Sequence, residues 1–199
     1  MSRSKMEEDT MEGSDVDPLV SIDSLDVEFS VPGGPVRALR DVSMTLEKGE
    51  TLGIVGESGS GKSTLALTIV RYLDENGYVP NGTIMFKGQN MFDLSKSQLR
   101  NLRGNNIAHV AQNASRALNP SMRIGTQIGE AIKLHQDVSG QEEVNERVYE
   151  VLREVNIPDP EECAQRYLGE LSGGQQQRVA IAMGLSCEPD CIILDEPTT

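Results

Sequence analysis

Gly56-Glu57-Ser58-Gly59-Ser60-Gly61-Lys62-Ser63-Thr64 matches the pattern GxxxxGK[ST]. A short apolar run, Thr51 to Val55, precedes it, and a segment with helical spacing, Ser63 to Tyr72, follows it. Strand, glycine-rich loop and helix in that order form the context in which such a loop cradles phosphate. Glycines let successive backbone N–H groups curl around phosphate oxygens, and the helix N-terminus adds positive potential. Lys62 has the reach for β and γ phosphates, and the Ser63 hydroxyl is placed to ligate Mg²⁺. A chance glycine-rich turn matching all four fixed positions is expected in roughly 1% of chains this long.

On the N-terminal side, Val20, Ile22, Leu25, Val27 and Phe29 alternate imperfectly with polar residues, and Pro32-Gly33-Gly34-Pro35 then turns the chain, which predicts a strand and hairpin. Val42, Met44 and Leu46 alternate with polar neighbours and predict a second strand with one wet face. Beyond the loop, short strands are predicted over Gly82 to Phe86 and Ile107 to Val110, with a helix around Ser95 to Leu102 between them. Val144, Val148, Val151, Leu152 and Val155 share one helical stripe, and Ser139 with Glu142 carries a capping-box signature for that helix. A short helix near Glu161 to Tyr167 and an apolar strand from Cys191 to Leu194 complete the pattern.

The chain has 199 residues, enough for one core, and no apolar stretch reaches the length needed to cross a bilayer. Residues 1–18 are acidic, lack a signal-peptide core, and read as a disordered tail. A formal net charge of −13 opposes nucleic acid and anionic lipid at long range, so phosphate binding must rest on local geometry. Such acidity also suits a protein kept soluble in high salt. Cys163, Cys187 and Cys191 are odd in number and lack CxxC spacing, which predicts buried, reduced thiols. His109 and His135 have no partners at ligand spacing and read as structural.

Cys191-Ile192-Ile193-Leu194-Asp195-Glu196 is an apolar strand ending in two carboxylates. Asp195 is positioned to assist Mg²⁺, and Glu196 to act as a base toward water. On its own this is a common acidic strand end, and it gains meaning from lying downstream of a phosphate loop. Leu171-Ser172-Gly173-Gly174-Gln175 is the remaining piece, followed by a helix-friendly run from Gln176 to Leu185. Its serine and glycine N–H groups at a helix start make a second anion site.

LSGGQ is the signature of the ABC ATPase family, and the chain resembles that family from about Leu19 to Thr199. Ala117-Leu118-Asn119-Pro120, Glu188-Pro189-Asp190 and Asp195-Glu196-Pro197-Thr198-Thr199 resemble its oligopeptide and dipeptide importer branch. The resemblance implies an α/β fold: a P-loop NTPase core, an antiparallel β subdomain from the N-terminal strands, and an α-helical signature subdomain over about 125–171. It implies that Gln112 contacts Mg²⁺ and the attacking water and senses the transporter. Phe29 matches the adenine-stacking aromatic, with a half-buried strand residue as the alternative.

On this resemblance, ATP and Mg²⁺ are the cofactors. ATP binds through Phe29, Gly56, Glu57, Ser58, Gly59, Ser60, Gly61, Lys62, Ser63 and Thr64 of one chain and Ser172, Gly173, Gly174 and Gln175 of another. Ser63, Gln112 and Asp195 serve the metal, and Glu196, Gln112 and Lys62 serve catalysis. The implied partners are a second ATPase subunit, head to tail, and an integral membrane permease, with no nucleic acid. The implied function is ATP hydrolysis driving peptide uptake at the cytoplasmic face of the membrane. A binding unit without turnover and a non-transport ABC ATPase are the alternatives. The family pattern also continues past Asp195-Glu196 with a D-loop, another core strand and a switch histidine, so the sequence ending at Thr199 is expected to be part of a longer ATPase. His109 and His135 both precede the signature and cannot be that histidine.

Overall fold

The structure is a computed structural model, and it describes residues 17–112, 118–138 and 140–196. The acidic tail expected at the N-terminus lies almost wholly outside the described residues.

An antiparallel sheet is built from β1 (Val20–Val31), β2 (Gly34–Leu46), β3 (Gly77–Phe86) and β4 (Gln89–Asn90), in the order β2-β1-β3-β4. The expected hairpin forms with Pro32 and Gly33 at its tip, but the second strand starts at once and runs unbroken to Leu46. Pro35, read as part of a turn, pairs with Ser30 on this edge strand, where a missing N–H costs no ladder bond. Register shifts along β1 bend the sheet, and Ser24 and Asp41 take positive φ beside them. Gly82 accommodates the bulge. Its φ is +98°, and a Cβ there would meet Leu25 Cα at 2.5 Å and Ser24 O at 2.6 Å.

Helix α1 (Lys62–Ile69) follows the phosphate loop, and α2 (Lys96–Asn105) is capped by Ser95, whose side chain and that of Gln98 cap each other's backbone. Strand β5 (Ile107–Val110) leads toward α3 (Ile124–His135), α4 (Gln141–Glu154), α5 (Pro160–Gln165), a 3₁₀ turn at Leu168–Glu170, and α6 (Gly173–Leu185). Strand β6 (Cys191–Leu194) then pairs parallel with β5, Ile107 opposite Cys191 and Val110 opposite Leu194. Helix α4 has Gly140 at its N-cap with no side-chain cap, and Ser139 lies outside the described residues.

The predicted strand over Thr51 to Val55 is a correction. Residues 51–57 carry no secondary structure and belong to neither sheet. Among the described residues no strand pairs with them, and Leu52, Ile54 and Val55 stay exposed, Val55 at 95%. A short apolar run specifies a strand only where a neighbour supplies the ladder and a face to bury.

Two hydrophobic cores result. One joins Leu25, Val27 and Ile84 of the antiparallel sheet to Leu65 and Ile69 of α1 and Leu99 of α2. The other joins Ile124, Ile128 and Ile132 of α3 to Val148, Val151 and Leu152 of α4 and Val179 and Ala182 of α6. The parallel pair straddles them, since Ile107 and Cys191 belong to the first core and Val110 to the second. Truncating a fully buried leucine such as Leu152 to alanine costs about 2–5 kcal/mol in such a setting. Arg147 ties α4 to the end of α6, donating to the carbonyls of Leu185 and Ser186 and pairing with Glu150, Glu154 and Glu188. A cation at that helix C-terminus also interacts favourably with the negative end of its dipole.

Candidate nucleotide site

The phosphate loop closes on itself through Lys62, whose Nζ donates to the carbonyls of Gly56 at 2.8 Å and Glu57 at 2.9 Å. Ser60 N donates to Glu57 O at 3.2 Å, and Leu65 N to Gly61 O at 2.8 Å, so the turn passes directly into α1. That helix has Gly61 as N-cap, no side-chain cap and no acidic residue in its first turn. Its leading N–H groups are therefore left for an anion. One of the loop's glycines is sterically required: a Cβ on Gly61, at φ +95°, would stand 2.7 Å from Leu39 Cδ2 and 2.9 Å from the Ala38 carbonyl oxygen, whereas one on Gly56 would meet the rotatable Ser60 Oγ at 2.7 Å. Leu39 and Ala38 of β2 thus back the loop, a support that no local sequence pattern signals.

Residues 56–60 are exposed, Lys62 is half-buried and Ser63 is exposed. Asp195 and Glu196 follow β6, where Asp195 N donates to Val110 O at 2.9 Å and carries the parallel ladder one step further. Gln112 lies beyond β5, and its Nε2 donates to the Glu196 carboxylate. Two residues read from separate stretches of sequence are therefore in direct contact. Ser63, Asp195 and Gln112 offer a hydroxyl, a carboxylate and an amide oxygen, a hard-oxygen set suited to Mg²⁺.

The signature residues stand on the other core. Ser172 Oγ accepts from Gln175 N at 3.3 Å, and Gln175 Oε1 accepts from Ser172 N at 3.0 Å, a complete capping box. Ser172, Gly173 and Gly174 are exposed. Gln176 secures the turn below, donating to the carbonyls of Leu168 and Leu171. Helix α6 packs on α3, α4 and β5, whereas α1 packs on β2.

Phe29 is half-buried and packs against the sheet core. A Cβ on Gly77 would meet its Cε1 at 2.9 Å. Asn119, within the Leu-Asn-Pro element, is clamped by the buried Gln127, which accepts from Asn119 N at 2.7 Å and donates to the carbonyls of Asn119 and Met122. Ala117 of that element lies outside the described residues. His109 sits in β5 with its Nε2 buried and without a hydrogen-bond partner among the described residues; burial lowers its pKa, against the opposing pull of the Asp195 charge. The three cysteines are free and buried, and burial raises each thiol pKa.

Comparison with known proteins agrees with this geometry. The family model described as ABC transporter matches residues 39–199. A putative peptide import ATP-binding protein of Brucella abortus is 43% identical over 182 residues, covering 92% of this chain and 54% of the relative. A dipeptide transport ATP-binding protein of Bacillus subtilis is 42% identical over 185 residues, covering 92% of this chain and 55% of its own length. The chain therefore spans about half the length of the curated relatives it matches. Among solved structures, a dimeric ATP-binding cassette in a post-hydrolysis state, bound to ADP and Pi, superposes with a TM-score of 0.80 at 28% identity, covering 90% of this chain and 74% of that one. A component of a Clostridium perfringens ABC transporter complex gives 0.71 at 26% identity, covering 89% of this chain and 65% of that one. With a phosphate loop, a paired-carboxylate strand end and a signature helix in one α/β fold, and with a family match over most of its length, the chain belongs to the ATP-binding cassettes of ABC transporters.

Proposed function

We propose that this chain is the nucleotide-binding part of a subunit that hydrolyses ATP to drive uptake of peptides or similar small solutes through a membrane permease. The observation that carries the proposal is the split of the nucleotide-binding elements between two cores. The phosphate loop and α1 rest on the antiparallel sheet, while the signature helix rests on α3 and α4. Both surfaces are exposed, as two halves of a site shared between subunits must be.

In this reading Gly56 to Thr64 hold the phosphates, Phe29 contacts the adenine, and Ser172 to Gln175 of a second copy or paralogue close over the γ phosphate. Ser63, Asp195 and Gln112 would hold Mg²⁺, which would supply positive charge against the phosphates. Glu196 orients and deprotonates the attacking water. Lys62 stays near the β and γ oxygens, and catalysis rests on positioning and charge stabilisation. The relatives' names, all peptide or dipeptide transport proteins, support the cargo class.

On the same reading the permease docks beside β5. A largely apolar cavity of about 460 Å³ runs along β5, between the ends of α1 and α2 and the helices α3 and α6. Tyr72, Arg103, His109 and His135 line it, no carboxylate does among the described residues, and Tyr72 is 66% exposed. No helix among the described residues is long and apolar enough to cross a membrane, so on this proposal the chain sits at the cytoplasmic face through that contact.

The test is MgATP binding and phosphate release by the full-length protein, with Lys62→Ala beside it. Removing a cation that meets phosphate through charge-assisted hydrogen bonds should weaken binding by about 100-fold or more, seen by calorimetry. Unchanged affinity in Lys62→Ala would remove the phosphate loop from the account. Co-purification with a multi-span membrane protein tests the transport part; a full-length protein that never associates with one counts against it.

A further inference from the structure

The parallel pair β5–β6 ends, on both sides, in an amide-to-carboxylate hydrogen bond. One residue before the ladder, Asn106 Nδ2 donates to Asp190 Oδ2 at 2.8 Å. Two residues beyond it, Gln112 Nε2 donates to the Glu196 carboxylate. Both pairs keep the register of the ladder, in which Ile107 faces Cys191 and Val110 faces Leu194. The first pair is structural. Asp190 also takes a 2.5 Å ion pair from Lys87, which with the Asn106 bond holds its carboxyl below the usual range against the effect of burial.

The second pair has no such company. Gln112 and Glu196 are both exposed, and an exposed hydrogen bond of this kind contributes little to stability. Glu196 has φ +48°, in the left-handed region that a non-glycine residue seldom adopts. Its carboxylate has therefore left the direction that strand geometry would impose, and the Gln112 amide is the group that meets it. A glutamine amide carries a donor and an acceptor at once. Its nitrogen can hold Glu196 while its oxygen remains for a metal or water.

We propose that Gln112 is a positioning residue for Glu196, its amide nitrogen fixing the carboxylate that activates water through a contact set by the β5–β6 register. This rests on the nucleotide-site reading above, in which Glu196 is the base. It separates two tasks of one side chain: orientation of the base through Nε2, and metal contact through Oε1.

The experiment compares Gln112→Glu, which keeps a side-chain oxygen for the metal but has no N–H donor, with Glu196→Gln in the full-length protein. MgATP affinity is measured by calorimetry and single-turnover phosphate release at saturating ATP. A base displaced by about an ångström loses roughly tenfold to a hundredfold in rate. Gln112→Glu should show that loss with MgATP affinity held within about twofold, and the retained affinity reports that the variant is folded. A saturated rate within about twofold of the native value, or a fall in affinity as large as the fall in rate, overturns the proposal and leaves Gln112 as a metal contact alone. Glu196→Gln is judged separately. If it turns over normally, the assignment of Glu196 as base fails, and this inference fails with it for that different reason.

Discussion

Two helices of this molecule begin at exposed glycine-rich turns, and they begin in opposite ways. Helix α1 starts from Gly61 with no side-chain cap, leaving its first N–H groups and the Lys62 ammonium facing the loop. Helix α6 starts from Ser172, which with Gln175 closes a complete capping box. Both starts carry the positive end of a helix dipole. Only the first keeps its donors free of side-chain oxygens, so it can form a phosphate cradle alone. The second is stable without a ligand and offers a preformed rigid face. On the proposed function, this difference is why one chain would hold half a site: the cradle would provide affinity, and the capped helix a lid for another subunit's nucleotide.

The sharpest way to break this comparison is to add one methyl group at each start. Gly61→Ala puts a Cβ against Leu39 Cδ2 and Ala38 O in a left-handed conformation. It should lower stability by about 1–3 kcal/mol in urea unfolding, and MgATP affinity should fall with it. Next in size, Ser172→Ala removes half of the capping box and should cost about 1 kcal/mol of stability. It should leave MgATP binding to a single subunit unchanged, because α6 takes no part in the cradle. The smallest effect is expected for Gly173→Ala. No atom lies within 4 Å of the added Cβ. The alanine should be neutral or add up to about 1 kcal/mol of folding stability. A Gly61→Ala protein as stable as the native one would show that the loop does not need its backing from β2.

The same contrast explains what could be read from sequence. Gly56 to Thr64, Leu171 to Gln175 and Cys191 to Glu196 were legible because each is a local device, a turn or cap whose chemistry is complete within a few residues. The capping of α2 by Ser95 and Gln98 belongs to that class, although the structure was needed to show it. Features that depend on distant neighbours were not legible. Helix α3 falls within the helical subdomain that the resemblance implies over about 125–171, but no residue pattern marks it, because Gly125 and Gly129 depress helix propensity. They are there to let other helices approach: a Cβ on Gly125 would come within 2.9 Å of Ala164 Cβ, and one on Gly129 within 3.0 Å of Val144 Cγ1.

The converse failure occurred at Thr51 to Val55, where a strand-like pattern found no partner and stayed exposed. Pro35 misled in a third way, since proline marks a turn in sequence but is tolerated on the edge strand β2. At the site, Gln112 and Glu196 were each singled out as residues of interest, and their contact was not. It follows from the parallel register of two strands far apart in the chain, which composition and spacing do not encode.

The central claim is that the cradle on α1 and the capped start of α6 belong to one nucleotide site only when two subunits close. Sedimentation of full-length Glu196→Gln at saturating MgATP tests it most directly. A stable ATP-dependent dimer is expected, one that disappears when Ser172→Arg is introduced on the same chain, while each subunit still binds nucleotide. A protein that stays monomeric with nucleotide bound, or a dimer indifferent to Ser172→Arg, would contradict it.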